Sequence, residues 1–127
     1  MTAIILALGI IAFGFILSGG GKTQIERAVA DCNLTTRQAG ALTTGDYAMV
    51  KDGGKTLIVR VKDGYGDVTS DAMACTIKRL EMKASTVQRI GDTRAIDGTQ
   101  SDEWGHYRAI WSYHPVNGMT LIVEEKG

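Results

Sequence analysis

The chain has 127 residues, with 14 basic and 14 acidic side chains, two histidines and two cysteines. That length suits one small domain, and the zero net charge gives neither the basic surplus of a nucleic-acid binder nor an acidic surplus for a basic partner. Two cysteines allow one disulfide and are too few for a structural zinc site without histidine help.

Residues 1–17 carry no charged side chain, and every charge lies from Lys22 onward. As a helix this run spans roughly 26 Å, at about 1.5 Å per residue, slightly short of a ~30 Å hydrocarbon core. The expectation is a transmembrane anchor over 1–18. A cleaved signal peptide is the alternative, with Ser18 and Gly20 as small residues ahead of a cut before Gly21. A buried helix of a soluble protein is the third reading, but this run has no polar face for water. Ala3 and Ala7, with Gly14 near the same stripe, are candidate contacts for helix packing in lipid.

Residues 19–23 read as a Gly-rich hinge. Gly20-Gly21-Lys22-Thr23 has the look of the end of a phosphate-binding loop. That motif needs glycine where Ile16 stands, and a strand ahead of it, so no nucleotide is expected. Lys22 and Arg27 follow the apolar run, which by the positive-inside rule places the domain in the cytoplasm. The cysteine pair points the other way. Export is the favoured reading, with the domain over 24–127 outside the cytoplasm.

The domain opens with a short helix over 22–31, with Ile25, Ala28 and Val29 on one side. Asn33-Leu34-Thr35 is a glycosylation sequon, of consequence in an exported eukaryotic chain. Residues 33–45 show no period and read as loop. Strands are expected over Tyr47–Lys51 and 55–62, joined by a tight turn at Asp52-Gly53-Gly54. On the second strand Leu57, Val59 and Val61 share one face, while Ile58, Arg60 and Lys62 share the other, wetter one.

A helix follows, capped at Thr69-Ser70-Asp71 and running to about Lys83. Met73, Ile77, Leu80 and Ala84 form its core stripe, and Cys75 and Met82 fall nearly opposite. A partner for Cys75 must then come from another layer, and Cys32 can supply it. Ser85-Thr86-Val87-Gln88 reads as a capping box for a further helical turn that ends at Gly91. Residues 91–105 read as a polar loop with Asp92, Asp97, Asp102 and Glu103, whose spacing does not match an EF-hand. Residues 106–113 alternate, with Tyr107, Ala109, Trp111 and Tyr113 on one face. After a turn at 114–118, Met119, Leu121 and Val123 return as the last strand. The expected fold is α+β: an N-terminal transmembrane helix, then an antiparallel four-stranded sheet of two hairpins in the order β-β-α-α-β-β, with helices on one face.

Candidate chemistry is sparse. His106 and His114 are eight residues apart, about 26 Å on an extended strand at ~3.3 Å per residue, too far to share a metal or a substrate atom. No G-x-S-x-G elbow is present. Asp102-Glu103 and Glu124-Glu125 are sequence neighbours whose side chains diverge on a strand. No catalytic residue, metal or cofactor is expected. Trp104, His106, Arg108 and His114 form the candidate interaction surface, because aromatics and arginine anchor interfaces.

The stretch Thr93-Arg-Ala-Ile-Asp-Gly-Thr-Gln100, followed by Ala109-Ile-Trp-Ser-Tyr-His-Pro-Val-Asn-Gly118, resembles a pattern in small exported or membrane-anchored proteins of actinobacterial type. The likeness covers about the last 55 residues. It implies export and a domain type, and no activity. No lipobox cysteine follows the apolar run, so lipid attachment is not implied.

The expected function is a non-catalytic binding or accessory domain held in the bilayer, a small subunit of an envelope or membrane assembly with a protein partner. A pilin-like filament subunit is the alternative, and a secreted thiol enzyme the second alternative.

Overall fold

The computed structural model describes residues 21–36, 46–62 and 70–126. The apolar run over 1–17, with Ala3, Ala7 and Gly14, lies outside the described residues, as does most of the expected loop over 33–45. Among the described residues no helix is long and apolar enough to cross a membrane.

The described chain is α+β: α1 (Gln24–Asp31), β1 (Tyr47–Lys51), β2 (Thr56–Val61), α2 (Ser70–Arg79), α3 (Ala84–Asp92), β3 (Gln100–Trp104), β4 (Tyr107–His114) and β5 (Gly118–Glu125). The sheet is antiparallel in the order β1-β2-β5-β4-β3. It has five strands, one more than the expected two hairpins. The addition is β3, inside the stretch that reads as polar loop. Gln100, Asp102 and Trp104 point inward from it, and Ser101 and Glu103 outward. Two of the three inward residues are polar, so the alternation that marks a half-buried strand is hidden.

One face of the sheet carries Ala48, Leu57, Val59, Leu121, Val123, Ala109, Trp111 and Tyr107. Ile25, Ala28 and Val29 of α1, Ala72 of α2 and Ile90 of α3 close over it in one apolar cluster. Helices therefore cover one face, as the amphipathic periods require. Within α2 the expected stripe is displaced. Ala72, Thr76 and Leu80 are the buried positions, Met73 and Ile77 are half-buried, and Ala84 is exposed. The stripe does not reach Ala84 because the helix breaks at Glu81, which takes φ 57°, while the Met82 N–H donates to the Ile77 carbonyl. Past that break the helical phase restarts, so Met82 turns inward. The expected capping box at Ser85 is also absent: α3 starts at Ala84, with Lys83 ahead of it giving no side-chain cap.

The entry to the domain is tightly held. Thr23 and Glu26 form a capping box at the start of α1, and the Thr23 hydroxyl donates to the Gly54 carbonyl at 2.6 Å. Gly54 lies in the β1–β2 connection, which is a 3₁₀ turn over Asp52–Gly54 with positive φ at all three residues. At the other end of the sheet Asp46 is buried. Its Oδ1 accepts the Lys62 N–H at 2.6 Å, and its Oδ2 has no hydrogen-bond partner.

Candidate interaction face

The face of the sheet turned away from the helices is organised in rows by strand register. Met49, Ile58, Ile122 and Ile110 stand side by side on β1, β2, β5 and β4, with Ser101 of β3 at the end of the row. All four are half-buried, and none joins the core cluster. Among the described residues no helix packs over them. The row on one side holds Lys51, Thr56, Glu124, Arg108 and Glu103; the row on the other holds Tyr47, Arg60, Thr120 and Ser112. The band thus has a charged row on one side and a mostly uncharged polar row on the other. Arg108 stands in register between Glu124 and Glu103, yet among the described residues it forms an ion pair with neither.

The residues expected to form the interaction surface do not come together. Trp104 is buried on the helix-facing side, its Nε1–H donating to the Leu80 carbonyl at 2.9 Å and its ring tilted against Tyr107. His106 is exposed in the β3–β4 turn. Arg108 and His114 are exposed on the open face, near opposite ends of β4. The His114 Nδ1 accepts backbone N–H groups of Val116 and Asn117, so it shapes its own turn. Only Arg108 belongs to the rows beside the apolar band. The band itself was missed because its members come from four strands, each offering one apolar residue on a face that otherwise reads as wet.

The cysteines are joined. Cys32, just past α1, is bonded to Cys75 of α2, with Cα atoms 5.6 Å apart. The exposed Asp31–Arg79 ion pair at 3.4 Å lies beside the bridge. Neither thiol is free to act as a nucleophile, because both sulfurs are used in the bond.

The most concentrated charge cluster has a structural explanation. Asp102 on β3 accepts the Thr86 hydroxyl at 2.6 Å and faces Lys83 and Arg89 of the α3 region. The Thr86 hydroxyl first, then the Glu103 N–H and Lys83, lower its pKa to about 2. Arg89 also lies over the Trp111 ring, and the Trp111 Nε1–H donates to the Thr93 hydroxyl at 2.7 Å. These contacts fasten α3 onto the edge strand. Asp97 serves its own turn, where the Arg94 backbone N–H and guanidinium hold its carboxyl below the ordinary range. A cleft of about 410 Å³ lies between α1 and β1, with Glu26 on its wall, but that carboxylate is already held by the Thr23 N–H. Among the described residues no group of three or more His, Cys, Asp or Glu side chains is placed to hold a metal ion.

No family model, no curated protein and no solved structure matches this chain.

Proposed function

We propose that this chain is a non-catalytic binding or accessory module, anchored in a membrane by its apolar N-terminal segment, with its domain outside the cytoplasm. It serves as a small subunit of an envelope or membrane assembly. The observation that carries the binding role is the open sheet face, with its in-register row of Met49, Ile58, Ile122 and Ile110 between polar rows. The Cys32–Cys75 bridge supports an oxidising compartment, where such bonds persist. The uncharged run over 1–17 supports the anchor.

Two experiments test this reading. Membranes bearing the full chain are washed with alkaline carbonate, then alkylated with an impermeant maleimide. The chain should stay with the membrane, and its cysteines should be labelled only after reductant is added. Release by carbonate, or labelling without reductant, refutes the placement. The full chain, cross-linked in its membrane and then solubilised in mild detergent, should run on a sizing column above the mass of a monomer in its micelle. Ile58→Asp should return it to monomer; a monomer before the substitution refutes the binding role.

A further inference from the structure

We infer that the partner seated on the open face is a second copy of this chain, packed face to face about a two-fold axis that runs between β4 and β5, parallel to the strands. The inference rests on the reading of that face as a recognition surface and deepens it.

A two-fold interface must be complementary to itself. Sliding the axis across the sheet tests whether this face is. An axis along β5 sets Glu124 opposite its own copy, and an axis along β4 does the same to Arg108. An axis between β2 and β5 lays β1 over the second copy's β4, which brings Lys51 against Arg108. An axis between β4 and β5 lays each β5 over the other copy's β4. Glu124 then faces Arg108, Ile122 faces Ile110, and Thr120 faces Ser112, each pair occurring twice by symmetry. β2 lies over β3, so Ile58 faces Ser101 and Thr56 faces Glu103. Opposite charges meet and Ile122 packs on Ile110 twice, while Ile58 lies over Ser101 and Met49 on β1 stays beyond the overlap.

The charges are available for this. Arg108 is exposed, and among the described residues it forms no ion pair with the carboxylates beside it in its own sheet. Two sheets packed face to face stand about 10 Å apart, within reach of a long arginine and a glutamate extended toward each other.

The direction of the axis agrees with the anchor. Thr23 is tied to the β1–β2 turn, so the chain enters the domain at one end of the strands. A two-fold parallel to the strands puts Thr23 of both copies at the same end of the pair, as the proposed anchoring in one bilayer requires. A two-fold along the apolar row would also stack like on like, but it puts the two copies of Thr23 at opposite ends. The overlap of four strands is roughly 19 Å wide at ~4.8 Å per strand, and about 17 Å tall for five residues at ~3.3 Å. That footprint, about 320 Å² per copy and roughly 650 Å² in total, lies well below the ~1,200–2,000 Å² of stable interfaces. The pairing is therefore weak in free solution and is strengthened by the high local concentration of two anchored chains.

Charge-swapped partners test the inference. Two differently tagged full chains are co-expressed, cross-linked in the intact membrane with an amine-reactive reagent and solubilised in mild detergent, and one tag is captured while the other is quantified. Non-reducing electrophoresis confirms the intact bridge in every variant. Wild type should capture wild type. Arg108→Glu chains should capture one another about tenfold less, because carboxylates then face carboxylates, and Glu124→Arg chains likewise. Arg108→Glu mixed with Glu124→Arg should recover capture, because each mutant charge meets its opposite on the other chain. A purely internal role for either residue predicts no such rescue. Failure of wild type to capture itself, unchanged capture by the single variants, or absence of rescue each overturns the inference. If the species above monomer size contains no second copy, this inference falls while the binding role of the face stands.

Discussion

Replacing Gly54 with alanine probes the joint between the entry helix and the sheet. Gly54 has φ +89°, which an L side chain rarely adopts. The strain of a left-handed residue is about 1–2 kcal/mol. An added Cβ would also lie 2.6 Å from Glu26 Cδ and 2.8 Å from the Thr23 hydroxyl oxygen, so the capping box must shift. Losing the cap costs about 1 kcal/mol more. Gly54→Ala should therefore destabilise by roughly 2–3 kcal/mol. Gly53 is the internal control: its φ is +64°, but its Cβ would meet nothing within 4 Å. Gly53→Ala should show the backbone term alone, about 1–2 kcal/mol. Denaturant unfolding of the full chain with its bridge intact reads both values. A cycle with Glu26→Ala isolates the contact, since Gly54→Ala in that background should cost about 1 kcal/mol less. Equal costs for the two glycines, or strict additivity with Glu26→Ala, would refute the clash.

Replacing both cysteines with serine removes a bridge between residues 43 apart and should lower stability by roughly 2–4 kcal/mol, measured by the same unfolding. Trp104→Phe keeps a ring but leaves the Leu80 carbonyl without its 2.9 Å donor, so a loss of about 1–3 kcal/mol is expected. Asp102 has its pKa lowered to about 2 by the Thr86 hydroxyl, the Glu103 N–H and Lys83. A carboxyl depressed in the folded state stabilises it above its unfolded pKa of about 3.9, and that contribution fades as pH falls toward 2. Thermal melts between pH 5 and pH 2 should thus fall less steeply for Asp102→Asn than for the parent chain. Parallel slopes would remove Asp102 from the acid response.

Much of the fold is legible in the chain itself. Period-two alternation marks Leu57, Val59 and Val61, and again Tyr107, Ala109 and Trp111, so both hairpins can be read locally. The pairing of Cys32 with Cys75 follows from placing Cys75 off the core stripe of its helix, and the structure contains that bridge. Those features depend on neighbours three or four residues apart at most, or on there being only two cysteines to join.

Other features depend on residues far apart in the chain. β3 is a strand because Asp102 finds Thr86, Lys83 and Arg89 across the fold, which lets a polar residue point inward; its own five residues carry no such sign. Trp104 belongs to the core because the Leu80 carbonyl, freed where α2 ends, accepts its N–H. The open face is a surface with a pattern because register sets Met49, Ile58, Ile122 and Ile110 in one line. On the open face each of these has mostly polar neighbours along its own strand, such as Thr56 and Arg60 beside Ile58, or Arg108 and Ser112 beside Ile110. Local periodicity says which way a side chain points, and only strand pairing says what stands beside it.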